Sequence, residues 1–275
     1  MMINKWKSIA KIKAKGIYHN LQSIIEKRQV KERLDPYDTS VIVNRKPAQV
    51  QKITFVVERM AKYNGGQTSI LRLGTELSKL GYDVGYAVYK PQTKSDMEEC
   101  ASTNLSNYKG TMYTNKYLSK LNSDIVIASS WDTVSVVKKM KGYKMYFLQD
   151  YEPYFYSFGE LFLMAKKTYE QGLHMVSLGK WNKEMVEKNC NVVSPVDCVE
   201  FPYESKEYPH CKRDYSTYGK KKDFILAVYL KYDGKRLPSV TQYLLKHVKG
   251  EFAKEGINLH IKYFGEDKSF HCEGG

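Results

Sequence analysis

Residues 52–90 read KITFVVERMAKYNGGQTSILRLGTELSKLGYDVGYAVYK, and this stretch decides the fold class. Its opening, KITFVVE, is short, apolar and β-branched, as a strand buried on both faces of a parallel sheet must be. A loop with Asn64, Gly65 and Gly66 follows at once. Behind it Ile70, Leu71, Leu73, Leu77 and Leu80 keep helical spacing, which predicts a helix that stops at Gly81. The apolar run at 84–88 is the next expected strand. Strand, glycine loop, helix and strand make one βαβ unit.

The unit recurs along the chain. Strands are expected at 123–129, 144–150 and 174–179, and helices at 132–140, 159–172 and 181–188. Such alternation predicts an α/β fold, a parallel sheet with helices on both faces. Residues 202–222 break the pattern, being polar, aromatic and basic without an apolar period. It restarts with DFILAVYL at 223–230, then the loop KYDGKRLP, a helix at 238–254 and a strand at 257–265. The organisation expected is a basic amphipathic helix at 1–34, a linker at 35–51, an N-terminal domain at 52–205, a second linker at 206–222 and a partial C-terminal domain at 223–275. One strand-helix-strand unit buries too little area to close a domain of ordinary size. The second half therefore reads as the start of a domain or as a vestige.

Charge is unevenly placed. The 275 residues carry a formal net charge of +14, and residues 1–50, with 11 Lys/Arg against four acids, hold half of it. In the same stretch Trp6, Ile9, Ile17, Leu21, Ile24 and Ile25 recur at three- and four-residue intervals or multiples of them, an apolar stripe on a basic helix. That helix suits an anionic membrane surface, or it packs on the next domain with a solvated basic face. No nucleic-acid motif accompanies the charge, so nucleic acid is not an expected partner. No apolar run approaches the roughly 20 residues of a membrane-spanning helix, and the lysine-rich N-terminus does not read as a secretory signal. Five cysteines, an odd number without a C-x-x-C pair, point to a reducing cytoplasm and away from a disulfide framework or structural zinc.

Three loops carry chemistry. In open α/β sheets ligands bind beyond the carboxyl ends of the strands, and the Gly65-Gly66 loop stands at the first of these. It admits an anion at a helix N-terminus or is a tight turn, and it is neither G-x-G-x-x-G nor Walker A. The second is FLQDYEPYFYSFGE, where Asp150 and Glu152 stand two apart at a strand end among Tyr151, Tyr154, Phe155, Tyr156 and Phe158. The pair could hold a divalent cation, supply a general base toward a hydroxyl, or cap a helix beside core aromatics. The third loop places Lys231, Lys235 and Arg236 just before a helix with Pro238 near its start, a diphosphate cradle or a solvated turn.

Together these segments resemble the N-terminal half of GT-B glycosyltransferases. The nearest likeness is to the bacterial rhamnosyltransferase-like enzymes of surface polysaccharide assembly, related to glycosyltransferase family 4. The resemblance rests on Gly65 and Gly66 after the first strand, on the Q-D-x-E-P segment from Gln149 to Pro153, and on L-H-x-x-x-x-G-x-W from Leu173 to Trp181. It spans about residues 52–200 and continues more weakly through ILAVYLKYDGKRLP. It implies a Rossmann-like N-terminal domain with a parallel sheet, plus the start of a second Rossmann-like domain.

The activity implied is transfer of a sugar, rhamnose by this likeness, from a nucleotide-diphosphate sugar to a saccharide or lipid-linked acceptor. The implied acceptor site is Gly65, Gly66, Gln67, Gln149, Tyr151, Tyr154 and Trp181, with Asp150 or Glu152 as the catalytic base or the acid that orients the acceptor. Lys231, Lys235 and Arg236 would meet the donor diphosphate, so neither metal nor other cofactor is expected, and the location implied is the cytoplasm or the inner face of its membrane. The competing expectation is a saccharide- or membrane-binding remnant that no longer binds donor. A glycoside hydrolase fits poorly, because nothing positions a second acid across a cleft.

Overall fold

The computed structural model describes residues 16–18, 20–28, 30–32, 37–202, 204–232 and 236–265. These divide into two compact units, one of residues up to Pro153 and from Phe158 to Phe201, the other of Tyr154–Ser157 and the described residues from Pro202 on. Residues 16–18, 20–28 and 30–32 are helical and are together called α1; the part of the expected basic helix at 1–15 lies outside the described residues.

The first unit is an α/β layer structure around seven parallel strands. β1 (Lys52–Val57), α2 (Gly65–Lys79) and β2 (Asp83–Val88) form the expected βαβ unit. The chain continues through α3 (Lys94–Asn104), β3 (Thr111–Tyr113), β4 (Ile125–Ala128), α4 (Trp131–Lys139), β5 (Tyr143–Leu148), α5 (Glu160–Thr168), β6 (His174–Leu178), α6 (Lys180–Asn189) and β7 (Val196–Val199). The strand order is β3-β2-β1-β4-β5-β6-β7, with every pair parallel, which is a Rossmann-like order.

Side chains alternate across this sheet, so each face has its own core. Ile53, Phe55 and Val57 pack with Ile70 and Leu71 of α2 and Met97 and Ala101 of α3. Val56, Val126, Ala128, Tyr146 and Leu148 pack with Val134 and Val137 of α4 and Val186 of α6. Strands buried on both faces explain why 52–58 reads as a continuous apolar run. Sequence patterning did not find α3, β3 or β7. α3 has only Met97, Cys100 and Ala101 buried, too few apolar positions to show a period, and β7 buries only Val196 of its four residues.

The stretch expected as a linker at 35–51 is docked from Tyr37 onward. Tyr37 donates its hydroxyl to the Met164 carbonyl at 2.8 Å. Ile42 N–H reaches the Gln171 carbonyl at 3.0 Å, and here the strap crosses Gly172, whose φ is +85°. A β-carbon there would lie 2.7 Å from the Ile42 carbonyl, so both conformation and space call for glycine. The Asn44 amide pairs with both backbone groups of Lys144, at 2.6 and 2.9 Å. The Lys138 ammonium, its side chain 2% exposed, is ringed by the Asp38 and Ser40 carbonyls, the Ser40 hydroxyl, the Gln171 amide oxygen and the Asp38 carboxylate. Such side chain to backbone bonding leaves no periodic trace in a sequence.

The second unit holds β8 (Asp223–Tyr229), α7 (Pro238–Lys254) and β9 (Asn258–Phe264), with the two strands parallel. Even-numbered positions of β8 are half-buried and odd-numbered ones exposed, Ile225 at 65% among them. Residues Tyr218–Lys220 make a short 3-10 turn within the stretch expected as the second linker.

Replacing Lys138 by Met keeps the apolar stem and removes the ammonium. The expected result is a loss of about 2–3 kcal/mol of unfolding free energy, with new protease cleavage between residues 37 and 44. A denaturation midpoint and cleavage pattern equal to wild type would show that the other contacts hold the strap.

Candidate functional site

Strand order reverses between β1 and β4, because the chain moves outward to β2 and β3 and then returns to the other side of β1. At such a point the loops leaving the two strands diverge, and a crevice opens beyond their carboxyl ends. The loop after β1 leads to the N-terminus of α2, and the loop after β4 to that of α4.

Three carboxamides fix the first loop. The Gln92 side chain accepts from the Met60 N–H and donates to the Met60 carbonyl, both at 2.8 Å. Gln67 accepts from the Ala61 N–H at 2.8 Å and donates to the Arg59 carbonyl at 2.7 Å. Asn104 accepts from the Asn64 N–H at 2.9 Å and donates to the Ala61 carbonyl at 2.7 Å. Tyr63, held here with a left-handed φ of +55°, is 87% exposed. Gln67, expected to touch substrate, braces the loop, both ends of its amide being engaged by backbone.

Asn64 caps α2 by accepting from the Gln67 N–H at 3.0 Å, which leaves the peptide N–H groups of the glycine pair as first-turn donors. A β-carbon on Gly65 would meet nothing within 4 Å, so this face is open. One on Gly66 would lie 3.1 Å from the Gln149 amide oxygen. The glycine loop and the Q-D-x-E-P segment, far apart in sequence, are therefore neighbours.

The two acids of that segment differ in burial and in partners. Asp150 is half-buried beyond β5, with Oδ1 accepting from the Tyr151 N–H at 2.9 Å. Glu152 is 4% exposed. Its Oε2 accepts from the Trp131 N–H at 2.8 Å and its Oε1 from the Tyr146 hydroxyl at 2.9 Å, while its own N–H donates to the Tyr169 hydroxyl at 3.0 Å. Glu152 thus fills the N-terminus of α4, where a first-turn N–H lacks an intrahelical partner. Burial pushes its carboxyl up to about 8, against the lowering effect of these two hydrogen bonds.

The aromatics also divide. Tyr151, expected at the acceptor surface, is 2% exposed and stacks on Tyr169, which stacks in turn on Tyr146, with centroids 5.7 and 5.6 Å apart. Tyr154 and Trp181 are exposed, each at 52%. Trp181 stands second in α6 behind β6, three strands along the edge from β1, which is roughly 14 Å away at ordinary strand spacing.

Two residues at this edge escaped the sequence reading. The Asp132 carboxylate accepts from the Ser130 hydroxyl at 2.6 Å and from the Tyr89 hydroxyl at 2.7 Å. Since Tyr89 follows β2 and Asp132 follows β4, this bond bridges the carboxyl ends of the two strands flanking β1. The signal available was position alone: S-x-D directly after an apolar strand.

In the second unit Lys231 is exposed and the Arg236 guanidinium lies 5.4 Å from the centre of the Tyr229 ring. Lys235 lies outside the described residues. Leu237 precedes Pro238 at the start of α7 with a left-handed φ of +49° and no side-chain cap. Among the described residues no cluster of His, Cys, Asp and Glu is arranged to hold a metal ion, and no helix is long and apolar enough to cross a membrane.

Neither known family models nor curated proteins match this chain.

Folded Glu152 keeps a proton that the unfolded chain, with the ordinary value of 4.5, releases. Stability is therefore lost as pH rises from about 4.5 to 8, by up to about 1.4 kcal/mol per unit. Glu152→Gln keeps an acceptor for the Trp131 N–H and is expected to remove that slope, so the two unfolding curves diverge steadily across this range. Parallel curves for wild type and variant would assign the carboxyl an ordinary titration.

Proposed function

We propose that the chain is a glycosyltransferase of the GT-B type, moving a sugar from a nucleotide-diphosphate donor to a hydroxyl of a saccharide or lipid-linked acceptor. The observation that carries this reading is the proximity of Gly66 to Gln149 beside the strand-order reversal. It brings together two of the three motifs on which the resemblance rests. Rhamnose as the sugar rests on the resemblance alone.

The acceptor binds on the first unit, along Gly65, Gly66, Gln149 and Asp150. The glycine pair lets a pyranose ring approach the backbone closely, and the α2 N-terminus offers its peptide N–H groups to oxygens. Asp150 takes the proton of the attacking hydroxyl as the new glycosidic bond forms. The bond from the anomeric carbon to the diphosphate breaks, and the nucleoside diphosphate departs with the electron pair. The donor binds on the second unit, where Lys231, Lys235 and Arg236 before α7 neutralise the leaving diphosphate.

Of the two acids, the geometry favours Asp150 for contact with the hydroxyl. Glu152 is dry and fully engaged, and acts as a positioning residue that fixes α4 and the turn after β5. A shielded carboxyl with both oxygens occupied is a poor acceptor for a substrate proton.

Asp150→Asn is expected to lower turnover of nucleotide sugar by at least about a hundredfold while leaving the melting temperature unchanged. The assay follows release of nucleoside diphosphate from a panel of nucleotide sugars with saccharide acceptors. Wild-type turnover in the variant would remove Asp150 from the mechanism. Failure of the full chain to bind any nucleoside diphosphate would favour the non-catalytic alternative.

A further inference from the structure

The helix α1 presents Ile17, Leu21, Ile24 and Ile25 at positions that fall on one face, and these side chains are 55–62% exposed. Tyr18 beside them is 59% exposed. Four large apolar residues left in water on one stripe mark a surface that something else covers. Lys27, Arg28 and Lys31 follow within the next two turns, Arg28 sharing its charge with Glu32 at 3.2 Å.

Charge selects the occupant. Residues 1–34 carry nine Lys/Arg against two Glu. Two copies of so basic a segment repel, which disfavours self-association through the stripe. Nucleic acid would meet the cations but leave the isoleucines in water. An anionic bilayer satisfies both, taking the apolar face into its acyl boundary while the cations reach lipid phosphates.

We propose that α1 docks the protein on an anionic lipid surface, lying in the plane of the interface. The strap makes this attachment mechanical. Tyr37 and the Asp38–Ser40 turn are fixed to the first unit by Met164 and by the buried Lys138 ammonium. Only five backbone steps separate residue 32 from residue 37, so the end of α1 stays within roughly 17 Å of that anchor. The first unit is thereby leashed to the surface on which α1 lies. This inference does not depend on the glycosyl-transfer reading.

The test is flotation of the full chain with phosphatidylcholine vesicles containing about 30% phosphatidylglycerol, beside vesicles of phosphatidylcholine alone. The wild type is expected to float with the anionic vesicles and to dissociate as salt rises. The double variant Leu21→Glu, Ile24→Glu is expected to lose about tenfold or more of that binding, with an unchanged melting temperature because both side chains are exposed. Lys27→Glu, Arg28→Glu should weaken binding only to the anionic vesicles. Absence of wild-type binding, or equal binding by the Leu21→Glu, Ile24→Glu variant, overturns the proposal. Binding to duplex DNA without vesicle binding would assign the segment to nucleic acid. Self-association abolished by the same variant, again without vesicle binding, would assign it to a second copy.

Discussion

Parallel pairing is the constraint on which everything else in the first unit hangs. A parallel neighbour cannot be reached by a tight turn, so each strand is re-entered from the same end after a crossover. All seven carboxyl ends therefore lie along one edge, and all loops that launch helices stand there together. Reversal of the strand order at β1 and β4 then opens the only break that the topology itself requires in that row of loops. The glycine loop, the Ser130–Asp132 turn and the segment after β5 meet along this edge for that reason.

Rigidity at the edge comes from polar groups that sequence patterning does not register. Gln67, Gln92 and Asn104 each hold backbone on both sides of an amide, so the loop before α2 is fixed by these bonds as well as by the buried Met60. Glu152 does the same for α4, with a carboxyl shielded from water and surrounded by stacked tyrosines. Buried polar groups of this kind are costly when unpaired and specific when paired. They set the loops in place before any ligand arrives, which limits the ordering a substrate must supply.

The opposite, amino-terminal edge of the first unit has a different logic. A strap with almost no apolar period is bound by one buried ammonium, one asparagine amide and a tyrosine hydroxyl. It follows α1 in the chain, whose apolar stripe the described residues leave largely in water. A tether fastened by hydrogen bonds to backbone holds position without requiring a second core.

The sequence by itself determined the α/β class, the parallel sheet and the first βαβ unit, because a strand buried on both faces and an amphipathic helix each leave a period in the order of residues. It also set Gly65–Gly66 and Gln149–Asp150 just beyond strand ends, although the glycine pair, expected in a loop, opens helix α2. Only the tertiary structure decided that Gly66 lies beside Gln149, that Asp150 and Glu152 two residues apart have different surroundings, that Tyr151 is a core residue, and that the stretch from Tyr37 onward is docked. Those outcomes depend on which strands become neighbours and on single hydrogen bonds between distant residues, and neither imposes a repeat on the chain that could be read beforehand.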